Sequence, residues 1–170
     1  MNIIKIPIII LTAIMVLGIY FIWHKNHKTP PLDISGNPDV VVSVSSEDVE
    51  MNGAIERAKR EFNFFADNWK TTKNCRYSLK FELPNSVGGY EYIWFNPIEI
   101  SGEIITAQCA NAPDKVDGLK VGDVRQLNIK QLSDWMIVDG GKCYGGYTIR
   151  VLTKRRPNDK RPFEFVDIDK

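Results

Sequence analysis

The chain has 170 residues, which is enough for one domain and one appendage. Its 22 Lys and Arg against 21 Asp and Glu give a net charge of +1, and residues 29–170 carry 19 basic and 21 acidic residues, a net of −2. This balance argues against a general nucleic-acid binder, so we expect no nucleic-acid partner. The three cysteines are spaced 34 residues apart and form no close pair, which matches no zinc-binding pattern.

The N-terminal segment is apolar. Residues 6–23 hold no charged residue, and as a helix they would rise about 27 Å, close to the hydrocarbon thickness of a bilayer. A buried core helix and a cleaved signal peptide are the alternatives. A signal peptide needs small residues at its cleavage site, whereas this segment ends in aromatic residues and no cysteine follows to take a lipid. We therefore expect residues 1–28 to form a single-pass transmembrane anchor that binds the lipid bilayer through residues 6–23.

Orientation and spacing follow from the flanking residues. Lysines lie on both sides of the span, Lys5 before it and Lys25 and Lys28 after it, so the positive-inside rule does not decide the orientation. A short basic N-terminal tail usually stays in the cytoplasm, which predicts a periplasmic or otherwise extracytoplasmic domain. Residues 29–38 contain two consecutive prolines and are predicted to be an extended linker.

An α+β domain is predicted over residues 39–152. It begins with a short edge strand at Asp39–Val44, followed by a helix over residues 46–69. Apolar residues recur along that helix at steps of four and three, which is typical of a core-facing helix, with a partner-binding helix as the alternative. The residues of this face are Met51, Ile55, Ala58, Phe62, Phe65 and Trp69.

Antiparallel strands are predicted after the helix. Alternating polarity predicts a strand over residues 77–83 with one solvated face. Further strands are predicted over residues 90–95, ended by Asn96 and Pro97, over residues 98–109 with a bend at Gly102, and over residues 124–129. One amphipathic helix packed on a curled antiparallel sheet is the expected architecture. The basic tail, residues 153–170, is predicted to be a solvated turn, with anionic lipid headgroups as an alternative contact and a last strand around Phe163 and Phe165.

A β-hairpin is the clearest local feature. Trp135–Val138 and Tyr144–Leu152 are rich in β-favouring residues and flank a tip that contains Gly140 and Gly141. Two further glycines, Gly145 and Gly146, fall inside the second predicted strand and indicate a bulge or the close approach of another backbone.

Several segments together resemble the YegJ-like family, a bacterial domain of unknown function. They lie at residues 51–65, 90–95, 101–104, 120–124 and 133–152, and the resemblance spans residues 48–152. It implies an α+β domain, often preceded by an export or anchoring segment, with no established activity. The family often has His beside Glu in the strand that matches residues 91–94, and this chain has Tyr92 there, so a function that depends on that imidazole is in doubt.

Most catalytic machinery is absent from the sequence. The two histidines, His24 and His27, lie beside the predicted membrane span, so the domain has none for Ser-His-Asp, Cys-His or His-zinc chemistry. The chain contains no GxxxxGK[ST] or GxGxxG phosphate loop. We expect no catalytic residue, no metal and no cofactor.

The candidate binding residues lie on and near the hairpin. Asp134 and Arg150 are predicted to approach each other on its two strands, either as a structural pair or around an anionic ligand. Outside the cytoplasm we expect a Cys109–Cys143 disulfide in preference to a bridge with Cys75. The full set of candidates for binding a ligand or partner is Asp134, Trp135, Gly145, Gly146, Tyr147, Arg150 and Trp94.

Two functions remain open. The first is a membrane-anchored, non-catalytic interaction module that binds a protein or an envelope component through a sheet edge or the glycine-rich hairpin, with a protective, immunity-like protein as a special case. The second is a hydrolase or transferase of the cell envelope that uses carboxylates alone, Asp134 with Glu91 or Glu103. Two acidic side chains that converge in a cleft would favour the enzyme.

Overall fold

The computed structural model describes residues 48–71, 74–158 and 160–168. The predicted anchor at residues 6–23, the linker at 29–38 and the edge strand at 39–44 lie outside these ranges. Within the described ranges, no helix has the length and apolar character needed to span a membrane.

The fold class is α+β, with a seven-stranded, mostly antiparallel sheet. The strand order is β4-β3-β2-β1-β5-β6-β7, and only β6 and β7 pair in parallel. A short 3₁₀ turn, Ile129–Gln131, joins β4 to β5. The described helices are α1 (Val49–Arg60), α2 (Phe62–Asn68) and α3 (Tyr147–Arg155), and the strands are β1 (Arg76–Pro84), β2 (Tyr90–Ser101), β3 (Ile104–Cys109), β4 (Val124–Asn128), β5 (Leu132–Asp139), β6 (Lys142–Gly145) and β7 (Glu164–Val166).

The predicted helix over residues 46–69 is two helices in its described part. Asp48 caps the first by accepting a hydrogen bond from the Met51 backbone N–H at 3.1 Å. Glu61 leaves helical geometry, with φ −99° and ψ +10°, and α2 starts at the next residue. The predicted apolar face does point to the core, since Phe62 and Phe65 are buried beside the sheet.

Both faces of the sheet carry apolar clusters. Along β5, Trp135 and Ile137 pack with the helices on one face, whereas Met136 and Val138 pack on the other face with Ile149 and other residues of a second cluster. The predicted solvated face of the first strand is therefore wrong in its middle. Its member Ser78 is buried, and its member Lys80 lies beneath α3.

Two predicted strand boundaries are also wrong. β2 continues through Pro97 to Ser101, because the register shifts between Pro97 and Glu99 and this bulge accommodates a residue that cannot donate a ladder hydrogen bond. The long strand predicted over residues 98–109 is divided by a turn at Gly102 and Glu103 into the end of β2 and the whole of β3. The predicted strands over residues 77–83 and 124–129 are present as β1 and β4.

The hairpin is confirmed only in its first part. Gly140 and Gly141, with φ of +53° and +85°, form the tip between β5 and β6. The second strand ends at Gly145, however, and the residues predicted to continue it form α3. Part of the predicted tail also belongs to α3, and the predicted last strand is present as β7.

Candidate functional site at the junction of β5 and α3

Asp134 ties the start of α3 to the sheet. Its side chain is fully buried and accepts hydrogen bonds from the backbone N–H groups of Tyr147 at 3.0 Å and Thr148 at 2.8 Å. The Thr148 hydroxyl donates a further bond at 2.5 Å, and the Trp135 N–H donates another at 2.8 Å. A carboxylate at a helix N-terminus satisfies N–H groups that have no partner inside the helix. Asp134 therefore acts as a cap supplied by a distant strand.

Lys80 lies beside this cap. Its ammonium group donates to the Thr148 hydroxyl at 3.2 Å and lies 5.3 Å from the centre of the Trp94 ring and 5.9 Å from that of Tyr92. Burial lowers the pKa of Lys80 and raises the pKa of Asp134, and the attraction between the two charges opposes both shifts. Trp94, a predicted binding residue, is 6% exposed and contributes a ring face to this partly buried cation.

The predicted glycine pair marks a close backbone approach. A Cβ at Gly145 would lie 2.2 Å from the carbonyl oxygen of Trp135 and 2.5 Å from its ring, and Gly145 also has a φ of +76°. Trp135 is fully buried, and its indole N–H donates to the Ala58 carbonyl at 2.9 Å. Gly146 is less crowded, since a Cβ there would lie 3.2 Å from the Phe165 ring. These three predicted residues are therefore internal packing positions.

Arg150 does not pair with Asp134, so that prediction is wrong. Arg150 lies on a helix and not on a partner strand, and its guanidinium reaches the C-terminal segment. It donates to the Gly145 carbonyl at 3.0 Å, the Val166 carbonyl at 2.7 Å and the Asp167 carboxylate at 2.8 Å.

A second arginine shares these contacts. The guanidinium carbons of Arg57 and Arg150 lie 4.5 and 5.3 Å from the centre of the Tyr147 ring, and Arg57 donates to the same Asp167 oxygen at 3.1 Å. We call Arg57 and Arg150 the arginine pair. Arg150, joined by Arg57, holds the pKa of Asp167 below its ordinary value. The Tyr147 hydroxyl donates to Glu61, which also accepts from Arg57 at 3.2 Å.

Sequence reasoning missed three members of this cluster. Arg57 fell on the polar side of the predicted helix, and Asp167 fell in the tail, so neither was singled out. The third missed member is Glu61. Burial alone would raise the pKa of Glu61, but hydrogen bonds from Tyr147 and Arg57 hold it below its ordinary value. The one signal in the sequence was the spacing of four between Arg57 and Glu61, which is common for surface pairs on helices.

The carboxylates proposed for an enzyme do not converge. Lys80 is the register partner of both Asp134 and Trp94, so these three side chains lie on the same face of the sheet. Glu91 precedes Trp94 by three residues on β2, so its side chain lies on the opposite face. Both Glu91 oxygens accept backbone N–H groups of the loop at Asp114 and Lys115, at 2.8 Å each. The third candidate, Glu103, is exposed in a turn and pairs with Lys130 at 3.3 Å.

The expected Cys109–Cys143 disulfide is wrong. Cys109 on β3 packs in the cluster beneath the helices, and Cys143 on β6 packs in the cluster on the other face. Three strands separate β3 from β6, or roughly 19 Å at the usual strand spacing, whereas a disulfide needs Cα atoms within about 7 Å. Burial raises the pKa of Cys109 to about 11 and that of Cys143 to about 12. No cluster of metal-binding side chains occurs in the described ranges.

Comparison with known proteins identifies the family. Residues 48–165 match DUF2314, described as an uncharacterized protein conserved in bacteria. The chain belongs to the DUF2314 family. The matched segment runs from the cap of α1 into β7, so it contains both members of the arginine pair and the Asp134 cap. No solved structure matches the chain.

Two curated relatives are similar to this chain, and the first of them supports the resemblance to the YegJ-like family. The chain is similar to the uncharacterized protein YegJ of Escherichia coli strain K12, with 25% identity over 122 residues that cover 72% of this chain and 79% of the relative. It is also similar to the putative ankyrin repeat protein NMB1133/NMB1171 of Neisseria meningitidis serogroup B, with 26% identity over 134 residues that cover 72% of this chain and 52% of that protein.

Among the described residues, one edge of the sheet of the DUF2314 domain is formed by β4, which pairs there with β3 alone. The Ile129 N–H donates to the Glu103 carbonyl and the Cys109 N–H donates to the Asp123 carbonyl, each at 2.8 Å. These two bonds show which residues of β4 direct their backbone N–H and C=O groups toward β3. The direction alternates along the strand, so the backbone groups of every second residue of β4, including Val124 and Gln126, point away from β3. Exposed aliphatic side chains lie around this edge, namely Val124 at 53%, Val121 at 52% and Ile104 at 41%.

Proposed function

We propose that this chain is a membrane-tethered, non-catalytic interaction module that binds an extended segment of a partner protein along the outer edge of β4. The observation that carries this proposal is that β4 is paired on one side only within the part of the chain that the structure describes, with outward backbone donors and acceptors at Val124 and Gln126. Strand addition to a sheet edge derives affinity from such main-chain hydrogen bonds and specificity from neighbouring side chains.

The inward orientation of the hairpin residues supports the choice of this edge. Asp134 and Trp135 are fully buried, and Gly145 abuts the Trp135 backbone, so these residues stabilise the fold and present no binding surface. At the other end of the sheet, the three-residue β7 is held by Arg150. The β4 edge carries no comparable cover among the described residues, and its exposed aliphatic side chains suit an uncharged, partly apolar partner segment.

The tether completes the proposal. Residues 6–23 would hold the module in a bilayer, with the domain on the extracytoplasmic side and the partner in the envelope or on an incoming protein that the module neutralises. Full-length protein should then stay with pelleted membranes after alkaline extraction, and a chain that lacks residues 1–28 should not. Recovery of the full-length protein in the supernatant would refute the tether and leave the proposal for β4 intact.

The β4 edge is tested with a photo-crosslinking side chain placed at Val121 of the full-length protein in its own cells. We expect an adduct with a partner protein, because Val121 is exposed beside the edge. Gln126→Pro removes an outward N–H but no bond to β3, so it should reduce the adduct at least tenfold. The matched variant Gln126→Ala keeps the N–H and should leave the adduct unchanged.

The same crosslinker at Val49, which is 83% exposed at the start of α1, reports non-specific encounters. Adducts of equal yield from Val49 and Val121 would refute binding at β4. So would an adduct at Val121 that survives Gln126→Pro, or the absence of any adduct at that position.

A further inference from the structure

The C-terminal segment lies against the domain as an extended strap. We define the strap as residues 160–168. Its strand β7 pairs in parallel with β6, so that Lys142 stands beside Glu164 and Cys143 beside Phe165. The Glu164 N–H donates to the Gly141 carbonyl at 2.8 Å. The strap therefore makes the same kind of main-chain contact that a bound peptide makes at a sheet edge.

Two aromatic side chains anchor the strap. Phe163 is 9% exposed and belongs to the apolar cluster that contains Cys143. The Phe165 ring lies 5.4 Å from the Phe163 ring and 5.1 Å from the Arg150 guanidinium. Their spacing of two puts both on one face of an extended chain, which leaves Glu164 on the other face.

The arginine pair recognises the acidic end of the strap. Arg57 and Arg150 both donate to one oxygen of Asp167, and Arg150 also binds the Val166 carbonyl. Arginine is suited to this task because its rigid, planar fork lets Arg150 donate to the Asp167 carboxylate and to the Val166 carbonyl at the same time. Both guanidinium groups are held over the Tyr147 ring, so the site is ordered by the domain itself.

The strap pairs with the sheet over a short length. Its strand has three residues, it lies at the end of the sheet, and the Asp167 side chain is 67% exposed. Pro157 in the connection from α3 and Pro162 in the strap itself favour extended backbone over further helix. A segment with so short a pairing at the edge of a sheet can open locally while the rest of the domain stays folded.

We propose that the edge of β6 and the arginine pair form a recognition groove for an extended acidic peptide of the pattern aromatic-x-aromatic-x-acid, and that the strap occupies this groove in cis as a removable ligand. The residues of the domain that read such a peptide are Arg57 and Arg150 for the acid and Lys142 for an acidic residue between the two aromatics. This groove lies at the opposite end of the sheet from β4. The proposal for it does not depend on the function proposed above.

The test uses the full chain in mild detergent and a fluorescent peptide with the sequence of residues 160–168. A tethered strap competes at an effective concentration on the order of millimolar, so the wild-type chain should bind the peptide weakly. The variant Phe165→Ala/Asp167→Asn loosens the strap without touching the groove, and it should bind the peptide at least tenfold more tightly. Adding Arg150→Lys should reverse that gain, because an ammonium group cannot replace the fork.

Peptide and folding controls make the result decisive. A peptide with Asn in place of its Asp167 should bind the loosened variant at least tenfold more weakly than the parent peptide. Equal binding of both peptides, or no gain in the loosened variant while its circular dichroism matches that of the wild type, would overturn the proposal. Should the loosened variant unfold, hydrogen exchange in the wild-type chain decides: the Glu164 amide should exchange faster than amides in the middle of β1, and exchange of both at the rate of global unfolding would overturn a removable strap.

Discussion

Replacing Asp134 should destabilise the domain more than replacing any exposed carboxylate. Asp134→Ala removes four accepted hydrogen bonds, and it leaves the N–H groups of Tyr147 and Thr148 buried without their acceptor. It also removes the negative charge beside the Lys80 ammonium, which lies under the Trp94 and Tyr92 rings.

The magnitude follows from these two losses. Each buried donor left without an acceptor costs about 1–3 kcal/mol, and Asp134→Ala leaves two such donors and also removes the charge that attracts the Lys80 ammonium. The losses overlap, because relaxation that brings water to Lys80 also reaches α3. We therefore expect a decrease of about 4 kcal/mol in the free energy of unfolding, a large share of the roughly 5–15 kcal/mol typical of a domain, and a lower melting temperature by about 10–20 °C.

The assay is urea unfolding followed by circular dichroism, with Asp139→Ala as the matched control. Asp139 is an exposed aspartate at the end of the same strand, and its replacement should change stability by no more than about 0.5 kcal/mol. A double-mutant cycle with Asp134→Asn and Lys80→Met should show a coupling of about 1–3 kcal/mol, since removing both charges leaves neither unpaired. A loss below about 1 kcal/mol for Asp134→Ala would refute the reasoning, because the cap would then contribute no more than a surface contact.

Three further predictions concern the glycines, the cap of α1 and the thiols. Gly145→Ala should lower the free energy of unfolding by about 3 kcal/mol or more, as measured by urea unfolding, because the new Cβ would overlap Trp135. Gly140→Ala is the control: a Cβ there meets open space, so only the positive φ should count, at about 1–2 kcal/mol. The hydrogen bond from Arg155, together with the Met51 N–H, lowers the pKa of Asp48 to about 2. Ionised Asp48 therefore stabilises the folded state fully above its unfolded pKa near 4, and this stabilisation is lost as the pH falls toward 2. The difference in the free energy of unfolding between wild type and Asp48→Asn should shrink between about pH 4 and pH 2. Denatured, unreduced protein should titrate three thiols, and in the native protein Cys109 and Cys143 should react slowly with a thiol reagent because both are buried and have raised pKa values. A count of one thiol, with Cys75 as the free cysteine, would contradict the strand order.

Hydrophobic periodicity predicted the core-facing elements well because burial imposes it directly. The steps of four and three placed Phe62 and Phe65 on the sheet even though the helix is broken at Glu61. The same reasoning failed for α3, whose residues are β-branched or aromatic at several positions and alternate like a strand. Tyr147 and Val151 pack in one cluster and Ile149 in the other, so this helix is buried on two sides and its pattern has no single apolar stripe.

Tertiary contacts decided the conformation of α3 against its local preference. Gly145 and Gly146 turn the chain out of β6 through positive φ angles, and Asp134 supplies acceptors that the first turn of α3 lacks in its own sequence. Sequence spacing could identify Asp134 and Arg150 as notable polar residues in an apolar stretch. It could not identify their partners, because Lys80 and Asp167 come from a distant strand and from the C-terminal segment.

The two ends of the sheet differ in what a partner must displace, and this difference has a kinetic consequence. A segment that binds along β4 has no described segment to displace, because the outward backbone groups of β4 are already accessible. Its observed association rate should therefore rise linearly with the concentration of the segment. A peptide that enters beside β6 must wait for the strap to open, so its observed rate should level off at the opening rate of the strap. Stopped-flow fluorescence with the peptide of residues 160–168 separates the two cases. A plateau in the wild-type chain that disappears in Phe165→Ala/Asp167→Asn is the result expected of a groove with a cis ligand. A linear dependence with the same slope in both proteins would mean that the peptide binds without displacing the strap.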